Sequence, residues 1–521
     1  MGHTLKLNLS ETKRFSGIFL DYINRNSTLS QFYNIYPDLD GISEAITKRK
    51  FDSYHRNVLV QSLHEQYADI QISESVKSNI ESLNSSNTFT VTTGHQLCLF
   101  TGPLYFIYKI VTTINLTKKL NEEYPKLNFV PVYWMASEDH DVAEINHFYL
   151  FNKKIEWITE QTGPVGIFNL EGFQHVFDQI RDKLPLFEQA YLQNKSLSEA
   201  TRFLVNALFA EYGLVILDPN TKVLKQLFVQ NFKDDLINNI AFNKVSDTNQ
   251  KLSELGYQPQ LHVRAINIFY MKEGLRERIE WNNGKYIVIN TNISFSKEDL
   301  LNELDSNPEF FSPNAVLRPM YQETILPNIA YVGGPAEIAY WLQLKSFFDV
   351  SDVYFPVLVP RNFALYINHS QNEKLLKLGI SINELFEDDL FIKERFFTLC
   401  NMNDFSLQTN GNELIHVFEQ IKSKAVVIDK TLADFVDAEK SDALKSIEKI
   451  EKRLKKALEM REEQQLNQLF NIKHRLFPDN GLQERHDNFL NIYLHKPNFI
   501  ATLLQIFDPL EFKFVIYFDE N

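Results

Sequence analysis

A chain of 521 residues can hold more than one domain, and 44% hydrophobic residues can fill a sizeable core. The 53 basic and 67 acidic residues give a net charge of −14, which argues against a protein that coats nucleic acid but leaves room for a local basic pocket. Cys98 and Cys400 form no CxxC pair, zinc-ribbon spacing or disulfide framework, so both are expected as reduced thiols. The first residues lack the apolar run of a signal peptide, Lys6 breaks the myristoylation pattern, and no stretch reaches the ~18 apolar residues of a membrane span, which predicts a soluble, cytoplasmic protein.

Residues 11–85 read as polar helices with aromatic anchors at Phe15, Phe19, Tyr22, Phe32 and Tyr33. Arg49, Lys50, His55 and Arg56 read there as a solvated helix face. The run Phe89-Thr90-Val91-Thr92 reads as a buried strand and residues 104–120 as a helix, with Lys109 on its solvated face. A second apolar strand at 129–136 ends in Ser137-Glu138-Asp139-His140-Asp141. Two apolar strands joined by an amphipathic helix predict a parallel βαβ crossover, hence an α/β fold. Both polar segments then fall at the carboxyl edge of the sheet, where open parallel sheets bind ligands.

Short strands are expected at 148–151 and 155–158, and a third sheet strand at 212–219. Asn282-Asn283-Gly284 signals a hairpin, and about 250–312 reads as an inserted β-rich subdomain. The α/β pattern resumes at Leu317-Arg318-Pro319 and runs through a strand into Gly333-Gly334-Pro335 and a helix over 336–348. A strand at 354–360 follows, closed by Arg361-Asn362. Core segments are thus expected at 1–249 and 313–367, a helical coiled-coil domain at 368–480, and a C-terminal segment, 481–521, packed back on the core. In the helical region Leu414, Phe418, Ile421, Ala425, Ile428, Leu432 and Phe435 are spaced 4,3,4,3,4,3, a heptad seam. A second helix is expected after Asp434–Ser441, completing an antiparallel hairpin that leaves a surface for another subunit.

Three constellations could carry chemistry. The first is the segment from Thr93, Gly94, His95 and Gln96 to Thr101 and Gly102, which is neither a Walker A nor a GxGxxG loop. His95 at a strand end suits a phosphate or a developing negative charge, while a structural histidine and simple turn glycines are the alternative. Cys98 has no identifiable base and reads as a small buried residue. The second is Glu138-Asp139-His140-Asp141, three carboxylates around one imidazole, which raise one another's pKa unless cations or donors sit among them. His140, Glu144 and His147 at i, i+4 and i+7 would share a face if helical, so a metal-dependent hydrolase using Asp139, His140, Glu144 and His147 is an alternative. The third joins Arg318, Gln322 and Glu323 to Gly333, Gly334, Glu337 and Tyr340, where paired glycines allow close backbone approach to a ligand. Arg361 could pair with these acids or bind a substrate carboxylate.

Together these motifs resemble the bacillithiol biosynthesis cysteine-adding enzyme family. The resemblance rests on Thr93-Gly94-His95-Gln96, Leu99 to Tyr105, Glu138-Asp139-His140-Asp141, Glu144 to His147 and Leu317-Arg318-Pro319. Gly333 to Trp341, Pro360-Arg361-Asn362 and Leu482-Gln483-Glu484-Arg485 extend it. It implies a Rossmann-like core related to class I aminoacyl-tRNA synthetases, with a C-terminal coiled coil used for homodimerisation. It further implies that cysteine is joined to the amine of glucosaminyl-malate, through an activated cysteinyl intermediate, with ATP as co-substrate by analogy. Residue chemistry then suggests His95 and Gln96 at phosphate or acyl group, Asp139, His140 and Asp141 at the cysteine or sugar amine, with His140 as proton acceptor, and Arg318 and Arg361 at the malate carboxylates. His95 stands where the family usually carries Gln, Ala336 where it carries Gly, and no Lys-Met-Ser-Lys-Ser stretch or cysteine-rich zinc site is present.

Overall fold

The computed structural model describes residues 2–400 and 406–520. The chain divides into a larger unit, Thr4–Leu365 with Gly481–Ile516, and a smaller one made mainly of Tyr366–Asn480.

The larger unit is built on a five-stranded, wholly parallel sheet. Its strands are β1 (Thr88–His95), β2 (Asn128–Met135), β3 (Val215–Leu217), β4 (Asn328–Gly333) and β5 (Val357–Pro360), in the spatial order β5-β4-β1-β2-β3. Helix α1 (Tyr105–Glu123) is the crossover between β1 and β2, which pair from Thr88 opposite Asn128 to His95 opposite Met135. These strands read as continuous apolar runs because both faces of a parallel sheet are covered. Phe89, Val91, Val332 and Val359 pack with Leu116 and Leu120 of α1 and with Ile42 and Ala45 of the helix Leu39–Lys48. The chain runs outward from β1 to β3, then returns across the sheet to β4. That reversal makes a switch point between β1 and β4, where the strand ends leave a crevice. β1 continues past Thr92 to His95, so Gly94 and His95 lie on the strand end rather than in the following loop.

Helix α2 (Arg318–Ile325) precedes β4, and α3 (Pro335–Val350) follows it, opening one residue after Gly334. Arg49 and Arg56 are buried, against the expectation of a solvated face. Arg49 donates to the carbonyls of Glu323, Leu326 and Asn328, and Arg56 to those of Leu83 and Thr88. They satisfy buried backbone acceptors that the sheet does not pair.

Between β3 and β4 stands a second, antiparallel sheet of five short strands, ordered Ser294–Phe295, Lys285–Val288, Leu275–Asn282, Ile268–Lys272, Phe311–Pro313. Its hairpin pairs Asn282 with Lys285 across Asn283 and Gly284, whose φ values of 49° and 84° suit a two-residue primed turn. A further hairpin joins His147–Leu150 to Lys153–Glu156.

The loop between β1 and α1 is held from several sides. Phe100, Thr101 and Gly102 have φ of 53°, 71° and 63°, unfavourable for the first two. Phe100 is stacked on Phe148, Phe187 and Tyr191, with centroids 4.5–5.2 Å away. Asn488 donates to the carbonyls of Phe100 and Gly102 at 2.9 and 2.7 Å, so the C-terminal segment clamps the loop.

In the smaller unit α4 (Gln408–Ile428) and α5 (Leu432–Leu476) form a hairpin. Ion pairs Lys422–Asp437 and Glu419–Lys440 show that the helices run antiparallel. The heptad run does not lie on one helix, because the chain breaks at 429–431, where the Asp429 carboxylate accepts from the Thr431 N–H and hydroxyl. The second helix therefore starts at Leu432 and not after Asp434–Ser441. Leu414, Phe418 and Ala425 are half-buried, while Ile421, Ile428 and Phe435 are 45%, 82% and 61% exposed. The hairpin thus leaves part of its seam open.

Candidate functional site

At the switch point a cavity of about 400 Å³ opens over the ends of β1 and β4. Gly94, His95 and Gln96 form one side, Gly334, Glu337 and Tyr340 the other, and Trp134, Asp139, Arg318, Arg361 and Arg485 complete it. A Cβ on Gly94 would stand 3.4 Å from Arg318 Nη1 and 3.6 Å from the Tyr331 hydroxyl, so a side chain there would crowd the cavity wall.

Lys109 sits at its floor. It is 3% exposed, its Nζ lies 2.8 and 2.9 Å from the Glu337 carboxylate oxygens, and it donates to the Gly94 carbonyl. Glu337 also accepts from the Tyr331 hydroxyl at 2.6 Å and from the Gly334 N–H at 2.8 Å. Burial alone would raise the Glu337 pKa, but Lys109 and these donors hold it at about 2. Burial lowers the Lys109 pKa, opposed by Glu337. Lys109 is not the solvated residue expected from helical position alone. The signal was present: it is the only charge among residues 104–117, and α1 is buried on all sides there. A helix apolar all round is buried, so its lone charge needs a partner.

His95 stacks on Tyr105 at 5.3 Å. Burial, reinforced by nearby Lys109, pushes its pKa down to about 3, so the ring is neutral. Nδ1–H donates to the Gln96 carbonyl at 3.1 Å, which leaves Nε2 a buried lone pair with no donor in the protein. Gln96 Nε2 donates to Asp139 at 2.7 Å and to Glu144. Asp139 also accepts from the His140 N–H at 2.8 Å, and with Arg276 nearby its carboxyl lies well below the usual range despite burial.

Arg318 Nη1 donates to Gln322 at 3.1 Å and Nη2 to the Tyr340 hydroxyl at 3.3 Å. Gln322 in turn donates to the buried Glu323, which burial lifts to about 7. Among the described residues no carboxylate pairs with Arg318 or with Arg485. Arg361 differs: its Nη2 is 2.5 Å from Glu484, both side chains almost wholly buried, and Nη1 donates to its own neighbour's carbonyl. Only its Nε lacks a partner, so Arg361 is chiefly committed to the C-terminal segment rather than free for a carboxylate.

Several expected site residues serve the framework instead. Thr93 donates to the Val332 carbonyl at 2.8 Å. Thr101 and Gly102 lie in the clamped loop, and a Cβ on Gly102 would meet Cys98 Cβ at 2.6 Å. Gly333 accepts from the Arg361 N–H and does not line the cavity. Glu138 is buried 2.9 Å from Lys225, itself fully buried. Asp141 is exposed at the start of a short helix and lines no part of the cavity. His140 Nδ1 lies 2.7 Å from Arg276 Nη1. An arginine does not give up its proton, so Nδ1 is the acceptor in this contact. His140 Nδ1, expected as a proton acceptor, is thus occupied by Arg276, and the residue lies outside the lining of this cavity. Cys98 is buried and its thiol pushed up to about 12, in keeping with a small core residue.

Two family models match the chain: the bacillithiol biosynthesis BshC N-terminal Rossmann-like domain over residues 3–362, and the BshC C-terminal coiled-coil domain over 364–518. The chain belongs to the bacillithiol biosynthesis BshC family. It is 41% identical over 508 residues to the "Putative cysteine ligase BshC" of Cytophaga hutchinsonii, covering 98% of this chain and 97% of that one. It is 43% identical over 515 residues to the protein so named from Flavobacterium johnsoniae, covering 96% and 97%. A Bacillus cytotoxicus relative of the same name is 29% identical over 506 residues, covering 92% and 94%. The Rossmann-like core and helical hairpin agree with both family domains. The metal-hydrolase alternative fails on geometry too. The helix after His140 spans only Val142–Ile145 and His147 begins a strand, so the i, i+4, i+7 face does not form. Among the described residues no three His, Cys, Asp or Glu side chains gather as metal ligands.

Lys109→Met should cost about 3–5 kcal/mol in urea unfolding, because it strands a buried carboxylate, and adding Glu337→Gln should recover part of that loss. For His95 the folded pKa lies below the unfolded value near 6.5, so the unfolded chain takes up the proton first and stability falls as pH drops from about 6.5 toward 3. His95→Gln should therefore lose less stability than wild type, by about 3 kcal/mol at pH 4, with parallel curves above pH 7, read by urea unfolding across that range.

Proposed function

We propose that this protein is a cytoplasmic ligase that completes bacillithiol synthesis, joining the carboxyl of cysteine to the amine of glucosaminyl-malate. The observation that carries this reading is the match to both family domains across residues 3–518, on a chain whose switch-point cavity gathers two carboxylates held ionised, Asp139 and Glu337, and two arginines without carboxylate partners. An amide ligase acting on these two molecules needs such groups, for the substrates together bring ammonium and several carboxylates.

In this reading Asp139, fixed by Gln96 and the His140 N–H, holds an ammonium group. Arg485 and the unpartnered Arg361 Nε face the malate carboxylates, and His95 Nε2 accepts a hydrogen from the ligand. A Gln side-chain oxygen could do the same, which accounts for the exchange with the family's usual residue. Amide formation from a free carboxylate is uphill in water, so a co-substrate that activates the carboxyl is required, and we propose ATP. The residues fit it to this extent: Gly94 and Gly334 place no side chain between the backbone and the cavity, and Arg318 and Arg485 offer charge for phosphates. The nucleotide would supply a good leaving group on the cysteine carboxyl. The protein's own groups orient the substrates.

Deleting the gene in its host should abolish bacillithiol and accumulate glucosaminyl-malate in thiol and metabolite mass spectrometry. Wild-type chain should restore the thiol, and Arg318→Gln should restore less than about a tenth. Persistence of bacillithiol without accumulation of glucosaminyl-malate would overturn the reading. We also propose a homodimer through the open part of the helical seam. Ile421→Asp should then give monomers in light scattering, whereas an unchanged dimer would place the interface elsewhere.

A further inference from the structure

Beside the first cavity lies a second of about 390 Å³. The two share Trp134, Ala136, Asp139 and Arg318. Their characters differ. The first is ringed by charge: Lys109, Glu337, Arg361 and Arg485 belong to it alone. Away from the shared wall, the second is largely apolar and aromatic, lined by Pro219, Leu261, Phe269, Val316 and Tyr321.

The charged side chains that enter the second cavity are mostly satisfied within the protein. Arg276, from the inserted sheet, lies 3.9 Å over the Phe269 ring and donates to His140. Glu138 is held by Lys225. What remains for a ligand is the exposed His262 ring and the shared wall, where the anionic Asp139 and the carboxylate-free Arg318 are both lining groups. A wall with one anion and one cation, opening on a small apolar chamber, is complementary to a zwitterion with a short apolar side chain.

We propose that the second cavity is the amino-acid chamber of the ligase. The carboxylate of cysteine lies at Arg318, its ammonium toward Asp139 and its thiol side chain against Phe269 and Tyr321, while glucosaminyl-malate occupies the first cavity. This rests on the function proposed above and adds to it a place for each of the two molecules joined. A bond between two molecules in adjoining chambers can form only where the chambers meet. The reacting carboxyl must therefore sit at the shared wall, where Arg318 stands. The inserted antiparallel sheet acquires a task in the same step, since its Phe269 and Arg276 close the chamber and set the size and polarity of the side chain admitted.

The test is calorimetric titration of the full chain with L-cysteine and, separately, with glucosaminyl-malate. Ala315→Trp fills the second cavity from an exposed position and Phe269→Ala strips its wall, while Arg485→Gln alters only the first. Ala315→Trp should weaken L-cysteine binding at least about tenfold and leave glucosaminyl-malate within about twofold, with Phe269→Ala acting in the same direction. Arg485→Gln should do the reverse. Thermal unfolding of each variant identifies a misfolded one, and the other then decides. The proposal is overturned if wild type takes up no L-cysteine, or if folded second-cavity variants bind it as wild type does. Should those variants lose L-cysteine while bacillithiol persists in the deletion strain, the chamber stands and the functional reading falls. Should bacillithiol vanish on deletion while the variants bind L-cysteine normally, only the chamber assignment falls.

Discussion

The ion pair between Lys109 and Glu337 is the contact on which the site depends. It joins α1, which leaves β1, to α3, which leaves β4, across the point where the sheet reverses its order. Two buried charges cost several kcal/mol each to desolvate, and the pair is tolerable because every remaining valence is used. Lys109 also holds the Gly94 carbonyl, and Glu337 the Gly334 N–H and the Tyr331 hydroxyl. One interaction therefore positions both glycine-bearing strand ends. It also consumes its own charge, so the net attraction for an anionic ligand comes from Arg318 and Arg485.

A second constraint acts from the far end of the chain. Asn488 clamps the loop after β1, whose Phe100 and Thr101 adopt left-handed backbone angles that need outside support. Four residues earlier, Glu484 takes up Arg361. The segment after the helical hairpin is thus part of the site's construction, and it brings Arg485 to the cavity rim.

Charge near the cavity is sorted by what each group already holds. Arg361, Glu138 and His140 looked equivalent to Arg318, Asp139 and His95 as polar residues of the three candidate constellations. The difference lies in partners: Glu484, Lys225 and Arg276 come from 123, 87 and 136 residues away. No local pattern carries that information, and so the separation of available from committed groups was not legible in the sequence. The same holds for Arg49 and Arg56, whose carbonyl acceptors belong to other segments.

The sequence by itself determined the parallel α/β core, because fully buried strands must be apolar throughout and the helix between them must cross over. It also determined the Asn283-Gly284 hairpin and the family motifs at both glycine-bearing strand ends. Lys109 could have been found there too, as the lone charge in an apolar helix. Only the tertiary structure decided the break of the heptad run at 429–431, since two helices in sequence can keep a continuous spacing without sharing an axis. Only it decided that two cavities meet at Trp134, Asp139 and Arg318, because a shared wall is a relation between β2, the segment that follows it and α2. Periodicity reports the environment of one element, whereas a site is made from the gaps between several.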